Sequence, residues 1–333
     1  MQRVRIVGTG SYVPQEVITN ADLERLVDTS DEWIRSRTGV VERRRAAKDQ
    51  ATSDLALDAA RAALAMAGRA VNDLDMIVVA TITPDTYCPS AACWLQSKLG
   101  MTHGVAFDVN AACAGFIFGL SVCEQFIKTG SARTILFVAS EVMTRTVNWS
   151  DRESCILWGD GAGAVILTAD GEEDGSPLKH GILATNIYTD GTHGEKLQLP
   201  GGGSRTTPIS HESVSADLHT LRMEGPDSFK IAVRTWSTAC LETLEATGLS
   251  VADLRWHIPH QANLRMIEAV AKRMKLQMSK VYLTIHKYGN ISSATVPITL
   301  DEVVRTGQVA PGDLLMLSAF GGGLAWGASL VRW

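Results

Sequence analysis

Asn110-Ala-Ala-Cys-Ala114 and Asn290-Ile-Ser-Ser-Ala294 stand 180 positions apart, and the same offset governs other stretches of the chain. Asp73-Leu74 recurs as Asp253-Leu254, each after a predicted helix ending in glycine (Gly68, Gly248) and before a predicted strand. Leu120 lies over Leu300, and Arg133–Val138 over Asp313–Ser318. Several segments at one spacing indicate an internal repeat. They predict two similar α/β halves related by a pseudo-twofold axis that brings corresponding segments together. The expected division is 1–171 and 172–333, at the front of a loop-heavy stretch from 170 to about 217 rich in Gly, Ser, Thr and Pro.

Outward from the repeat, strands and helices alternate. Residues 53–67 place Leu55, Ala59, Ala62, Ala63 and Met66 on one helical face, and Gly68 ends the helix. The run Met76-Ile-Val-Val-Ala-Thr-Ile82 is apolar throughout, as expected for a strand covered on both faces. Val105–Val109 and Thr134–Ala139 repeat that pattern with helix between them, so the fold class is α/β with a mixed or parallel sheet.

Composition excludes several functions. A formal charge of −5 over 333 residues gives no basic field for nucleic acid. Six cysteines without CxxC spacing predict reduced thiols in a cytoplasm, not disulfides or a metal site. The most apolar stretch, Ala111–Val122, stops at Glu124-Gln125, short of the ~20 residues that span a membrane, so no membrane partner is expected. Gly8-Thr-Gly10 begins a dinucleotide fingerprint, but Val13 stands where its third glycine belongs. No P-loop lysine follows Gly159-Asp-Gly161.

Chemistry concentrates on the repeated segment. Cys113 and its counterpart Ser293 each fall near the start of a predicted helix, where the dipole favours thiolate and should lower the thiol pKa. Ala111, Ala112, Ala114 and Gly115 leave room for a substrate arm beside the sulfur. His257-Ile-Pro-His260-Gln-Ala-Asn263 puts His260 at a strand end, and Gly289-Asn290 opens the segment equivalent to that of Cys113. Cys, His and Asn together suit either hydrolysis or acyl transfer. Arg43-Arg-Arg45 reads as a solvated face.

The sequence resembles the β-ketoacyl-acyl-carrier-protein synthase III family over essentially its whole length. The stretches that carry the resemblance are Thr29-Ser-Asp-Glu-Trp-Ile34, Arg37-Thr-Gly39, Pro89-Ser-Ala-Ala-Cys93, Ala111-Ala-Cys-Ala-Gly115, Gly159-Asp-Gly-Ala-Gly163, His260-Gln-Ala-Asn-Leu-Arg265, Gly289-Asn290 and Phe320-Gly-Gly-Gly323. The resemblance implies a five-layered α-β-α-β-α thiolase-like architecture, a homodimer and a cytoplasmic acyltransferase of fatty-acid biosynthesis. Its reaction is a decarboxylating condensation of an acyl-CoA primer with malonyl-acyl-carrier protein. Cys113, His260 and Asn290 match the catalytic triad, with the N–H groups of Cys113 and Gly322 as oxyanion hole. Trp33 and Arg152 would sandwich the adenine of coenzyme A, Arg37 would meet a phosphate, and Asn263 would hold the pantetheine arm. Arg265, Lys272 and Arg273 form a patch for the acidic carrier protein.

Coenzyme A enters as a thioester substrate, and neither a permanently bound cofactor nor a metal is implied. Cys88 departs from members that place a bulky aromatic there, limiting the acyl pocket from the partner subunit. A cysteine hydrolase would leave the repeat and the matched stretches unexplained. A specialised-metabolite ketosynthase or an acyltransferase of the same fold shares them.

Overall fold

The computed structural model describes residues 3–169, 180–205, 208–223 and 226–333, so the expected boundary between 171 and 172 lies outside the described residues. The first sheet is built from β1 (Val4–Tyr12), β2 (Met76–Ala80), β3 (Val105–Val109), β4 (Thr134–Val142) and β5 (Asp160–Ala169). Its order is β1-β5-β4-β2-β3, with antiparallel pairing at β1–β5 and β5–β4 and parallel pairing across β4, β2 and β3. The second sheet is built from β6 (Gly181–Thr189), β7 (Trp256–Pro259), β8 (Leu314–Gly321) and β9 (Ala325–Arg332), in the order β6-β9-β8-β7. Its pairings repeat the first sheet strand for strand, antiparallel twice and then parallel. The counterpart of β3 is reduced to one parallel bridge, His257 to Val281.

Helices complete the layers. α1 (Thr52–Ala67) and α2 (Ala91–Leu99) cover the outer face of the first sheet, packing Leu55, Ala59 and Leu95 on Ile77, Val79, Leu136 and Ile166. α4 (Pro226–Glu245) and α5 (Leu264–Met274) cover the second sheet through Trp236, Ile267 and Val270 on Leu314, Met316 and Leu330. Between the sheets lie α3 (Gly115–Lys128) and α6 (Thr295–Arg305). Their Phe116, Ile117, Leu120, Val296 and Leu300 join Val78, Phe137, Ile258 and Leu317 in one core. Burying each such side chain contributes roughly 1.5–3 kcal/mol, so this central layer is the main bond between the halves. The result is the five-layered α-β-α-β-α order implied by the resemblance.

Three local expectations change. The buried face of α1 runs through Leu55, Ala56, Ala59, Ala60, Ala63 and Leu64; Ala62 is half-buried and Met66 is exposed. The cause lies in β1, where Gly8 and Gly10 admit the helix backbone: a Cβ on Gly10 would stand 2.2 Å from the Ala59 carbonyl. Gly8-Thr-Gly10 is thus a packing device between strand and helix. β3 is not covered on both faces; it forms the sheet edge, and Val105 is 52% exposed. Arg43 is fully buried, not solvated. Its guanidinium donates to the Ile18 carbonyl, Asn20 Oδ1 and the Ile156 carbonyl, at 3.2, 2.9 and 2.8 Å. Burial lowers its pKa to about 10. Among the described residues, no helix is long and apolar enough to cross a membrane.

Candidate active site

Two copies of one turn meet between the sheets. In the first, β3 ends, Asn110 Oδ1 accepts from Ala112 N at 3.3 Å, and residues 112–114 form a 3-10 turn leading into α3. In the second, Asn290 Oδ1 accepts from Ser292 N at 2.8 Å and residues 292–294 turn into α6. Ala112 and Ser292 both take left-handed backbone, at φ 46° and 48°. Non-glycine residues hold that conformation only when their surroundings enforce it, and such strain gathers at functional sites.

Cys113 follows Ala112 and is buried beneath the end of β8. A Cβ on Gly321 would lie 2.7 Å from Cys113 N and 2.8 Å from its Cβ, so only glycine fits there. The predicted lowering of the thiol pKa is not what the site gives. Burial pushes Cys113 up to about 12; the Ser292 hydroxyl acts to lower it, and the Glu141 carboxylate raises it further. Desolvation of a buried sulfur outweighs the start of one helix.

His260 follows β7 and is held by its backbone N–H to the Ser318 carbonyl at 2.7 Å. Its Nδ1 lies 2.6 Å from Thr295 Oγ1, which also accepts from Gln261 N at 3.2 Å. Burial lowers its pKa to about 3, so the ring is neutral at ordinary pH. Asn290 is anchored through its N–H to the Leu157 carbonyl (2.8 Å) and its carbonyl to Gly159 N (3.0 Å). With Oδ1 taken by Ser292 N, the Asn290 amide presents its Nδ2 hydrogens. Arg43 backs this anchor: its Cβ would lie 3.3 Å from a Cβ on Gly289.

Cys113, His260 and Asn290 line one cavity of ≈ 600 Å³, together with Arg37, Asn263 and Arg265 toward its mouth. A second cavity of ≈ 560 Å³ also reaches Cys113, lined by Phe118, Met143, Leu197, Leu199 and Gly322. Cys88 is exposed and does not line that cavity in its own chain; its neighbour Tyr87 does. The Cys88 side chain instead faces outward from the loop before α2.

Of the remaining candidates, Arg37, Asn263 and Arg265 line the first cavity, while Trp33, Arg152, Lys272 and Arg273 do not. Trp33 sits on the helix Asp31–Thr38, whose N-cap Ser30 Oγ accepts from Trp33 N at 3.1 Å. The Arg152 guanidinium carbon lies 4.5 Å from the Trp33 ring centroid, and that of Arg37 5.7 Å. Asn263 caps α5 by accepting from Arg265 N at 2.9 Å and donates to the Arg37 carbonyl at 3.0 Å. Arg265, Lys272 and Arg273 are all exposed on α5. Among the described residues, no cluster of three His, Cys, Asp or Glu side chains is placed to hold a metal.

Sequence reasoning missed Thr295, Ser292 and the fully buried Glu141. The repeat itself was the available signal, since Ser292 overlies Ala112 and Glu141 overlies Gly321 at the same offset.

Comparison with known proteins places the chain by family and fold. Residues 107–191 match the family described as 3-oxoacyl-[acyl-carrier-protein (ACP)] synthase III, and residues 244–333 match its C-terminal part. The chain is 51% identical over 329 residues to the β-ketoacyl-[acyl-carrier-protein] synthase III of Xanthomonas campestris pv. campestris, covering 99% of this chain and 98% of that one. It is 49% identical over 328 residues to that of Caldanaerobacter subterraneus subsp. tengcongensis, covering 98% and 97%. The crystal structure of 3-oxoacyl-[acyl-carrier-protein] synthase III from Aquifex aeolicus superposes with a TM-score of 0.90 at 42% identity, over 99% of this chain and 100% of that one. Full-length similarity at this level, on a shared fold, shows that the chain belongs to the β-ketoacyl-[acyl-carrier-protein] synthase III family.

Proposed function

We propose that Cys113, His260 and Asn290 carry out the reaction of this family, the condensation of an acyl-CoA with malonyl-acyl-carrier protein that initiates fatty-acid synthesis. The observation that carries the reading is that these three side chains, from two halves of the chain, line one ≈ 600 Å³ cavity.

The Cys113 thiol gives up its proton and its sulfur attacks the acyl-CoA carbonyl; the bond to the coenzyme A sulfur breaks, and the departing sulfur takes up that proton, so coenzyme A leaves as the thiol. The N–H groups of Cys113 and Gly322 hold the oxyanion of that step. Malonyl-acyl-carrier protein then loses CO₂, and the electron pair moves into an enolate. His260 Nε2 and Asn290 Nδ2 donate to its thioester oxygen, where charge develops. The enolate carbon attacks the acyl-cysteine, expels the Cys113 thiolate and gives 3-oxoacyl-acyl-carrier protein. Donation from Nε2 requires the neutral ring with Nδ1 as acceptor, so in this state the Thr295 hydroxyl turns its hydrogen from the Ser292 carbonyl, 3.1 Å away, to donate to Nδ1 at 2.6 Å.

Coenzyme A enters past Trp33 and Arg152 with Arg37 on a phosphate and Asn263 on the pantetheine arm, and it is substrate, not resident cofactor. The carrier protein docks on Arg265, Lys272 and Arg273. The enzyme works in the cytoplasm as a homodimer. The exposed edge strand β3 and the 76% exposed Tyr87 support that assembly, in which Cys88 faces the partner's acyl pocket.

The test is turnover of acetyl-CoA with malonyl-acyl-carrier protein while trapping CO₂. His260→Ala or Asn290→Ala should slow decarboxylation by roughly 10²–10³-fold and leave acylation of Cys113 nearly intact. Absence of CO₂ release by the wild type would sink the reading. Equal loss of both half-reactions would remove the donor roles.

A further inference from the structure

Ser292 is tied directly to Asn290 and, through Thr295, to His260. Its N–H donates to Asn290 Oδ1 at 2.8 Å, orienting that amide. Its carbonyl accepts from Thr295 Oγ1 at 3.1 Å, the hydroxyl that stands 2.6 Å from His260 Nδ1. Its own hydroxyl is fully buried and has no hydrogen-bond partner among the described residues. The backbone holds it at φ 48°, one of four non-glycine residues among those described with positive φ. Its repeat counterpart Ala112 has the same backbone and no hydroxyl, so the strained turn belongs to the fold and the hydroxyl to this half alone.

A buried donor without a partner is costly unless one arises during the reaction. The group that can become its partner is Cys113. The turn that carries it packs against the Cys113 turn, and the hydroxyl is close enough to act on the sulfur and lower the thiol pKa. A neutral thiol is a weak acceptor, whereas a thiolate is a charged one. We propose that the Ser292 hydroxyl is the hydrogen-bond donor that stabilises the Cys113 sulfur whenever it carries negative charge: before it attacks the acyl thioester, and again when condensation expels it. The donor is loose in the resting thiol and engaged in the charged state, so it favours the reaction and not the ground state. This rests on Cys113 being the nucleophile proposed above.

Other charges near the sulfur are accounted for. Glu141 on β4 opposes the thiolate, and His260 is neutral. The neighbouring ends of β8 and α3 bring Gly321 and Gly115, which carry no charge. Arg37, Asp151, Glu153, Lys196, Lys230 and Arg265 line the same cavity.

The experiment is the rate of Cys113 alkylation by iodoacetamide in the full chain at fixed near-neutral pH, read by mass on the Cys113 peptide. Ser292→Ala keeps the backbone contacts to Asn290 and Thr295 and should slow alkylation about tenfold, the loss of thiolate that follows from a pKa about one unit higher, with an equal loss of acylation rate. Decarboxylation of malonyl-acyl-carrier protein should stay within about threefold, because Asn290 and His260 keep their positions. Ser292→Gly suits φ 48° and must show the same slowing, which guards against a folding defect in the alanine variant. An unchanged alkylation rate in either variant overturns the proposal, as does equal loss of acylation and decarboxylation. Alkylation needs no acyl substrate, so failure of Cys113 as acyl acceptor would show separately, as a wild type that alkylates but takes no acyl group.

Discussion

Cys113 and Ser293 occupy the same place in their halves, each after a left-handed residue and each leading into the central helix of its half. Cavities of ≈ 600 and ≈ 560 Å³ reach Cys113. Ser293 is enclosed: its Oγ lies 2.7 Å from Glu141 Oε1 and 3.2 Å from the Ala80 carbonyl. The neighbouring strand makes the difference. Where β8 ends in Gly321, pressed against Cys113, the equivalent position of β4 carries Glu141. Glu141 Oε2 accepts from Thr81 Oγ1, Ile82 N and Thr83 Oγ1, at 3.1, 3.1 and 2.7 Å. Where His260 follows β7, the first half has Ala80. One backbone thus serves twice. Glycine and histidine at the strand ends leave a reactive turn open, while glutamate and alanine close its twin into a joint between halves.

Breaking the open side should have the larger effect. Gly321→Ala places a Cβ 2.8 Å from that of Cys113, so Cys113 must shift. Misplacement on the scale of an ångström costs roughly 10²-fold in rate, and acylation by acetyl-CoA in single turnover should fall by at least that much. A rate within threefold of wild type would show that the glycine is not what positions Cys113.

Breaking the closed side should cost stability first. Glu141→Ala strands several buried donors, and the unfolding free energy from urea melts should drop by about 3 kcal/mol. Acylation should survive, because Glu141 opposes the thiolate. Burial raises the Glu141 pKa above its ordinary 4.5. Between the unfolded-state and folded-state pKa values, the folded chain therefore keeps a proton that the unfolded chain releases. The resulting stability is complete below about pH 4.5 and is lost as pH rises through the folded-state pKa. Glu141→Gln cannot ionise and should flatten that loss. Identical pH profiles for wild type and Glu141→Gln would contradict the assignment.

The repeat was legible because strand ends and turns kept a common offset, and hydrophobic periodicity located most of the strands between them. What the pattern could not carry was set by contacts distant in sequence. Arg43 looks like part of a solvated basic run, but carbonyls from Ile18 and Ile156 enclose it. Met66 fits the helical stripe of α1, but close packing of Gly8 and Gly10 turns that helix toward Ala56 and Ala60. The fifth strand of the second sheet dwindled to a single bridge at Val281, which no local pattern marks. At the site, the cysteine, histidine and asparagine stood out by type and motif. Thr295, Ser292 and Glu141 did not, since a serine, a threonine or a buried carboxylate gains meaning only from what faces it across the halves. The helix-start argument for a low thiol pKa failed for the same reason, because enclosure is a tertiary property.

In the proposed reaction the open turn, and not its twin, accepts the acyl group. The most direct test is mass spectrometry of peptides from the full chain after incubation with acetyl-CoA alone. One acetyl adduct is expected on the Cys113 peptide, none on the peptides holding Ser293, Cys123 or Cys240, and none anywhere in Cys113→Ala. An adduct on another residue, or an adduct that persists in Cys113→Ala, would contradict it.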